Sequence, residues 1–203
     1  MDFREKKVVS RETCARVAPY AAWMALMTAL PTTAEMYAVR GGVTAALLLL
    51  GGAFGCFRPT ARSAAAWAHA AGVGALAGLA VFAIWVAPDL LFPSAAASVP
   101  SPYAPMVCGW PLTVAKLVAS AFVIPVAEEL FFRKWLVEFA GFGWMVVLFA
   151  VEHGDRWHVG AVAGFVYGLL AKRLGLFAAI VAHVVTNLVL GLYVIRCGQW
   201  QFW

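Results

Sequence analysis

The sequence is poor in charge. Lys and Arg number 15 and Asp and Glu 10 in 203 residues, 12% in all, where soluble globular domains carry roughly 25%. Together with 64% hydrophobic residues and a mean hydropathy of +0.84, that deficit excludes an ordinary soluble enzyme and points to a chain dissolved in lipid. Paired cysteines are also lacking. Cys14, Cys56, Cys108 and Cys197 are scattered and form no CxxC; small packing roles are expected of them, and only Cys108 and Cys197 would share a side of the membrane. No small-x-small cleavage site leading into a soluble domain follows the basic start, so the first apolar run reads as a retained span rather than a signal peptide. The net charge of +5 requires no nucleic-acid partner, because loops lying beside anionic lipid account for it.

What the chain does have is a series of apolar runs set off by breakers. They cover 17–30, stopped at Pro31; 36–57, closed by Arg58 and Pro59; 64–87, closed by Pro88; then 112–139, 142–152, 159–171 and 174–195. At roughly 20 residues per crossing, the pattern predicts an all-α, polytopic transmembrane bundle of about seven spans, with room for an eighth helix. Runs 142–152 and 159–171 are short for a flat bilayer at a rise of about 1.5 Å per residue, and would occupy a thinned or funnel-shaped region or extend into their connection. The Pro- and Ser-rich stretch 88–111 is the one long loop. With a cytoplasmic N-terminus, Arg58, Arg62, Arg133, Lys134, Lys172 and Arg173 fall on the cytoplasmic side, while loop 88–111 on the other side contains no Lys or Arg. This obeys the positive-inside rule. The expected organisation is a basic cytoplasmic segment 1–16 (Arg4, Lys6, Lys7, Arg11, Arg16), then one transmembrane domain 17–203 with its polar motifs in 112–195, placed in a cell membrane such as a bacterial inner membrane.

Against this background the buried acids stand out. Glu128 and Glu129 sit in the apolar run 118–135, where each carboxylate costs about 2.5 kcal/mol or more to insert. Such residues face a partner or a water-filled cavity. Glu129 and Arg133 are i,i+4 neighbours that can form an ion pair, whereas Glu128 points about 140° away from Arg133 at the helical repeat. His153 follows Phe149 by one turn, and His183 precedes Asn187 by one turn. Counted from the cytoplasmic ends of their runs, Glu128, His153 and His183 lie at one depth, about 15 Å in at the helical rise. One chamber could hold all three. By contrast, Asp155 and His158 read as loop polarity, and His69 as a packing or interhelical hydrogen-bonding residue. Gly160, Gly164 and Gly168 form a smooth face for close helix approach, and Trp110, Trp144, Trp157, Trp200 and Trp203 fall at span ends like an interfacial belt.

In order and residue type, Glu128-Glu129 with Arg133, Phe149 with His153, and His183 with Asn187 resemble the three motifs of the CAAX-protease and bacteriocin-processing family (CPBP, or Abi) of intramembrane peptidases, which includes the type II CAAX prenyl endopeptidases. The resemblance spans roughly residues 125–187. It implies an intramembrane endopeptidase cutting near the C-terminus of a membrane-anchored or lipid-modified protein. By the same resemblance Glu128 and His153 activate the attacking water, His183 and Asn187 form the oxyanion hole, and Glu129 and Arg133 support the motif helix. The chemistry fits the residue types. Amide hydrolysis needs a base, which a carboxylate among apolar walls supplies, and one preorganised donor at the carbonyl oxygen is worth about 3–4 kcal/mol. Glu128, His153 and His183 also compose a two-histidine, one-carboxylate zinc set; the metal-free route is the expectation, with no cofactor, and zinc the alternative. The tryptophan-rich end 198–203 is similar to bacterial CAAX prenyl protease-related proteins associated with exopolysaccharide, exosortase and sorting systems. The implied partners are a membrane-anchored protein or peptide substrate, the lipid bilayer and such sorting machinery. A non-proteolytic membrane protein, such as a small proton-coupled transporter or an assembly partner, is the competing class. Transporters bury Glu and His at mid-membrane as well, but their repeated pair of broken spans is not seen here.

Overall fold

The computed structural model describes residues 10–52, 63–91 and 101–203. Arg4, Lys6, Lys7, Cys56, Arg58, Pro59, Arg62 and the middle of loop 88–111 lie outside the described residues. The bundle is built from α1 (Arg11–Ala29), α2 (Ala34–Leu50), α3 (Ala64–Leu91), α4 (Trp110–Ala140), α5 (Phe142–Glu152), α6 (Trp157–Leu174) and α7 (Leu176–Cys197). Three of these, α3, α4 and α7, are long and apolar enough to cross a membrane. They present apolar side chains outward, Leu76, Phe122 and Leu192, as do their neighbours α2 and α5 with Leu49 and Val147. An all-α, multi-pass membrane architecture follows.

Local chemistry moves several helix ends away from where the apolar runs stop. Ser10 caps α1 by accepting a hydrogen bond from the Thr13 amide at 3.1 Å, so the helix begins within the basic segment rather than at residue 17. Arg16 is held there by Glu12 at 2.5 Å and Glu138 at 2.8 Å. Further along the chain, α3 passes through Pro88 to Leu91. Proline removes one backbone donor, but it falls in the last turn, and Asp89 just beyond it grips Arg156 through two bonds of 2.8 and 3.0 Å. That anchor holds the final turn.

Helix α4 is continuous but not uniform. Two π-helical segments, Ala119–Val123 and Leu130–Leu136, flank the α-helical turn Ile124–Glu129 that carries both acids. Pro125 explains the first of them, since it cannot donate to the carbonyl one turn back and its ring crowds that carbonyl. The widened turn turns a carbonyl outward to α7: Ser120 O accepts from Asn187 Nδ2 at 2.9 Å.

Small residues set the helix spacing. Gly160, Gly164 and Gly168 of α6 face α5 as their spacing predicts; Cβ atoms added there would lie 3.0 Å from His153 Cβ, 3.0 Å from Phe149 Cδ1 and 2.6 Å from Met145 Cε. A second glycine face, Gly74 and Gly78 on α3, packs directly on the α7 backbone, at Ala178 O and Ala182 O respectively. Carbonyls cannot rotate out of the way. Gly78→Ala is therefore expected to destabilise the protein by about 1–3 kcal/mol through overpacking, read as a lower thermal midpoint in detergent; an unchanged midpoint would show that the α3–α7 contact is not tight. His69, expected inside the bundle, is exposed instead. The buried line of α3 runs through Ala70, Gly74, Gly78 and Val81, and His69 lies about 100° off that line.

Candidate active site

The two adjacent acids have different surroundings. Glu129 is fully buried, and its Oε1 is shared by Arg133 Nη1 at 3.1 Å and His183 Nδ1 at 2.9 Å. The carboxylate thus does more than neutralise the arginine one turn on: it orients the imidazole of α7. Because a carboxylate oxygen accepts, His183 donates from Nδ1, leaving Nε2 to face Glu128 Oε2 at 3.7 Å. Aromatic rings fix the same imidazole. Tyr167 stacks on it at 4.8 Å and 24°, and Phe149 meets it edge-on at 5.9 Å. Tyr167 is in turn held by its hydroxyl, which donates to Thr186 Oγ1 at 2.7 Å. The Arg133 guanidinium lies over the Phe149 ring at 4.1 Å, a geometry that favours a cation.

His153 ends α5. Its Nδ1 is 2.6 Å from Phe149 O, and since a carbonyl only accepts, Nδ1 carries the proton and Nε2 is an acceptor. Trp85 of α3 lies against the ring at 5.2 Å. Glu128, His153, His183 and Asn187 line one cavity of about 380 Å³, so the structure brings the four predicted reaction-site residues together on α4, α5 and α7. Glu129 and Arg133 stand behind them. Among the described residues Glu128 Oε2 is buried without a hydrogen-bond partner, which leaves it ready to accept a proton from a molecule entering the cavity. One Asn187 N–H is spent on Ser120 O; the amide retains a second donor.

A zinc ion would need three donors converging on one point. His183 and His153 hold their Nδ1 atoms on Glu129 and Phe149 O, which leaves each Nε2 toward the cavity; among the described residues no group of three His, Cys, Asp or Glu side chains is placed to hold a metal ion.

Several residues around this cavity escaped the sequence reading. Glu152, taken only as the end of an apolar run, sits beside Tyr20 and acts on Glu128 as a like charge. An acid closing a run in an otherwise uncharged helix was the available signal. Lys116 is buried and lines the cavity, as does Trp203. Trp203 thus faces the cavity, whereas Trp110, Trp144 and Trp157 are exposed. Asp155 is exposed in the α5–α6 connection, whereas His158, expected in the same connection, is exposed in the first turn of α6. Cys14, Cys108 and Cys197 are free thiols.

The model of the family described as "Type II CAAX prenyl endopeptidase Rce1-like" matches residues 110–189. This segment is less than half of the chain, yet it runs from the first residue of α4 to just past Asn187. All seven motif residues fall inside it. No curated protein and no solved structure matches the chain.

Proposed function

We propose that the chain is an intramembrane endopeptidase of the CPBP family that hydrolyses a peptide bond near the C-terminus of a membrane-anchored or lipid-modified protein. The match over α4 to α7 supports a general intramembrane-protease role. The observation that carries the finer reading is the convergence of Glu128, His153, His183 and Asn187 on one buried cavity. The accompanying topology is seven spans with a cytoplasmic N-terminus in a bacterial inner membrane, residues 17–203 forming the peptidase domain. A role beside protein-sorting or exopolysaccharide machinery belongs to the same reading.

The mechanism follows from the donors and acceptors in place. A water bound between the Glu128 carboxylate and His153 Nε2 meets two acceptors, and Glu128 takes its proton as the oxygen attacks the scissile carbonyl carbon. The carbonyl π pair moves to oxygen. That oxyanion is met by the free Asn187 N–H and, when its ring is doubly protonated, by His183 Nε2–H. Collapse of the intermediate breaks the C–N bond, with the Glu128 proton passing to the leaving amine. The products are a new carboxylic acid, which gives up the remaining water proton to become a carboxylate and so makes the new amine an ammonium, and Glu128 returns to its starting state.

The test compares protein termini in membranes of cells carrying the native chain and cells carrying Glu128→Gln. New C-terminal ends that depend on Glu128 are the expected result. A second measurement addresses the metal: cleavage by the purified protein should survive 1,10-phenanthroline and proceed without stoichiometric zinc. Loss on chelation with recovery on zinc addition would instead make Glu128, His153 and His183 ligands.

A further inference from the structure

A buried cation with no acid partner among the described residues lies on the wall of the same cavity. Lys116 of α4 has a relative exposure of 6%, and its ammonium group is surrounded by rings: Tyr37 at 3.8 Å, Tyr103 at 4.4 Å and Trp203 at 5.1 Å. Among the described residues it has neither a hydrogen-bond acceptor nor a carboxylate partner. The charge acting on it is a second buried cation, Arg40, which already donates to Leu30 O and Pro31 O at 2.8 and 2.6 Å. Ring faces attract an ammonium but do not neutralise it, and an uncompensated buried charge is costly. Three separate parts of the chain, α2, the segment before Pro105 and the C-terminal residue, converge to build this cage. Its open side faces the cavity that holds Glu128.

We propose that Lys116 and its aromatic cage form an anion subsite that takes the free C-terminal carboxylate of the substrate, so that this enzyme measures its cleavage position from the chain end. The inference rests on the peptidase reading and names its substrate class: polypeptides ending in the membrane with an unblocked α-carboxylate. Lys116 and Glu128 are twelve positions apart on one helix, about 18 Å at the helical rise. An extended chain covers about 3.4 Å per residue. The scissile bond is therefore expected about five residues from the end. An aromatic wall suits apolar residues between the two points, and the ammonium supplies the single charged contact, stronger than a neutral hydrogen bond.

The experiment uses the full chain in zwitterionic phosphatidylcholine vesicles and two apolar probe peptides identical except for a C-terminal acid or amide. Binding is followed by tryptophan fluorescence in Glu128→Gln protein, which does not require turnover, and cleavage is followed in protein with native Glu128. The acid should bind at least about tenfold more tightly than the amide. Lys116→Gln should erase that ratio and Lys116→Arg should retain most of it. Equal binding of acid and amide by protein with native Lys116 would overturn the subsite. So would an anion effect seen only when phosphatidylglycerol is added to the vesicles, which would assign Lys116 to a lipid headgroup. If the acid is preferred in binding yet no peptide is cut, the subsite stands and the peptidase reading falls. If both peptides are cut at equal rates, the peptidase reading stands and the subsite falls.

Discussion

Glu128→Gln should abolish peptide cleavage while leaving the protein folded. The substitution keeps side-chain shape and removes the one group placed to take a proton from water, a contribution of about 10²–10⁴ in rate. Stability should not suffer. Among the described residues Glu128 Oε2 has no hydrogen bond to lose, and a neutral amide removes the cost of burying a carboxylate; the thermal midpoint is expected to be equal or higher. Loss of new protein termini with a retained midpoint is the expected pair of results. Full processing by the variant would remove Glu128 from the mechanism, and a collapsed midpoint would recast it as structural.

Arg133→Met should have the largest effect on stability. Arg133 and Glu129 are 3.1 Å apart, with side chains 1% and 0% exposed. Removing one partner of such a buried pair costs about 3–5 kcal/mol, because the remaining charge is stranded. The stranded group here also holds His183, so its rearrangement would reach the reaction site. The paired change Glu129→Gln with Arg133→Met should recover most of the stability, since neither charge is left alone. It should not recover activity, because His183 then loses the carboxylate on Nδ1. Thermal midpoints and cleavage rates of the two variants measure this separation. A single Arg133→Met variant with a native midpoint would show that the pair contributes nothing to the fold.

Much of the candidate site was legible because insertion into lipid makes ionisable residues rare and costly. Glu128, His153 and His183 could be singled out from composition and depth, and helical register joined Glu129 to Arg133 before any coordinates. Register also separated Glu128 from its neighbour. The bond from Glu129 to His183 was not legible, since it joins positions 54 apart on helices whose rotation no local pattern encodes. Lys116 was missed for a related reason. A lysine near the end of a span ordinarily extends to the interface, and only the return of Trp203 and the placement of Tyr37 and Tyr103 enclose it. The π segments of α4 went unseen because hydrophobic periodicity fades in a helix apolar on most sides; Pro125 was their one local mark.

The sequence by itself determined the medium, the all-helical architecture and the small set of polar residues worth attention. Each follows from the energetic cost of placing a charge or an unpaired backbone group in hydrocarbon, which composition alone registers. Tertiary structure decided what those residues face. Glycines on α3 and α6 bring helices close enough for rings to clamp His183 and His153, and the widened turns of α4 set the direction of Glu128 and the carbonyl that holds Asn187. Distances between side chains depend on helix rotation and approach, which arise from packing across the whole bundle. For that reason Glu129 proved to be a holder of His183 as well as a partner of Arg133, and a lysine with no motif around it came to line the same cavity.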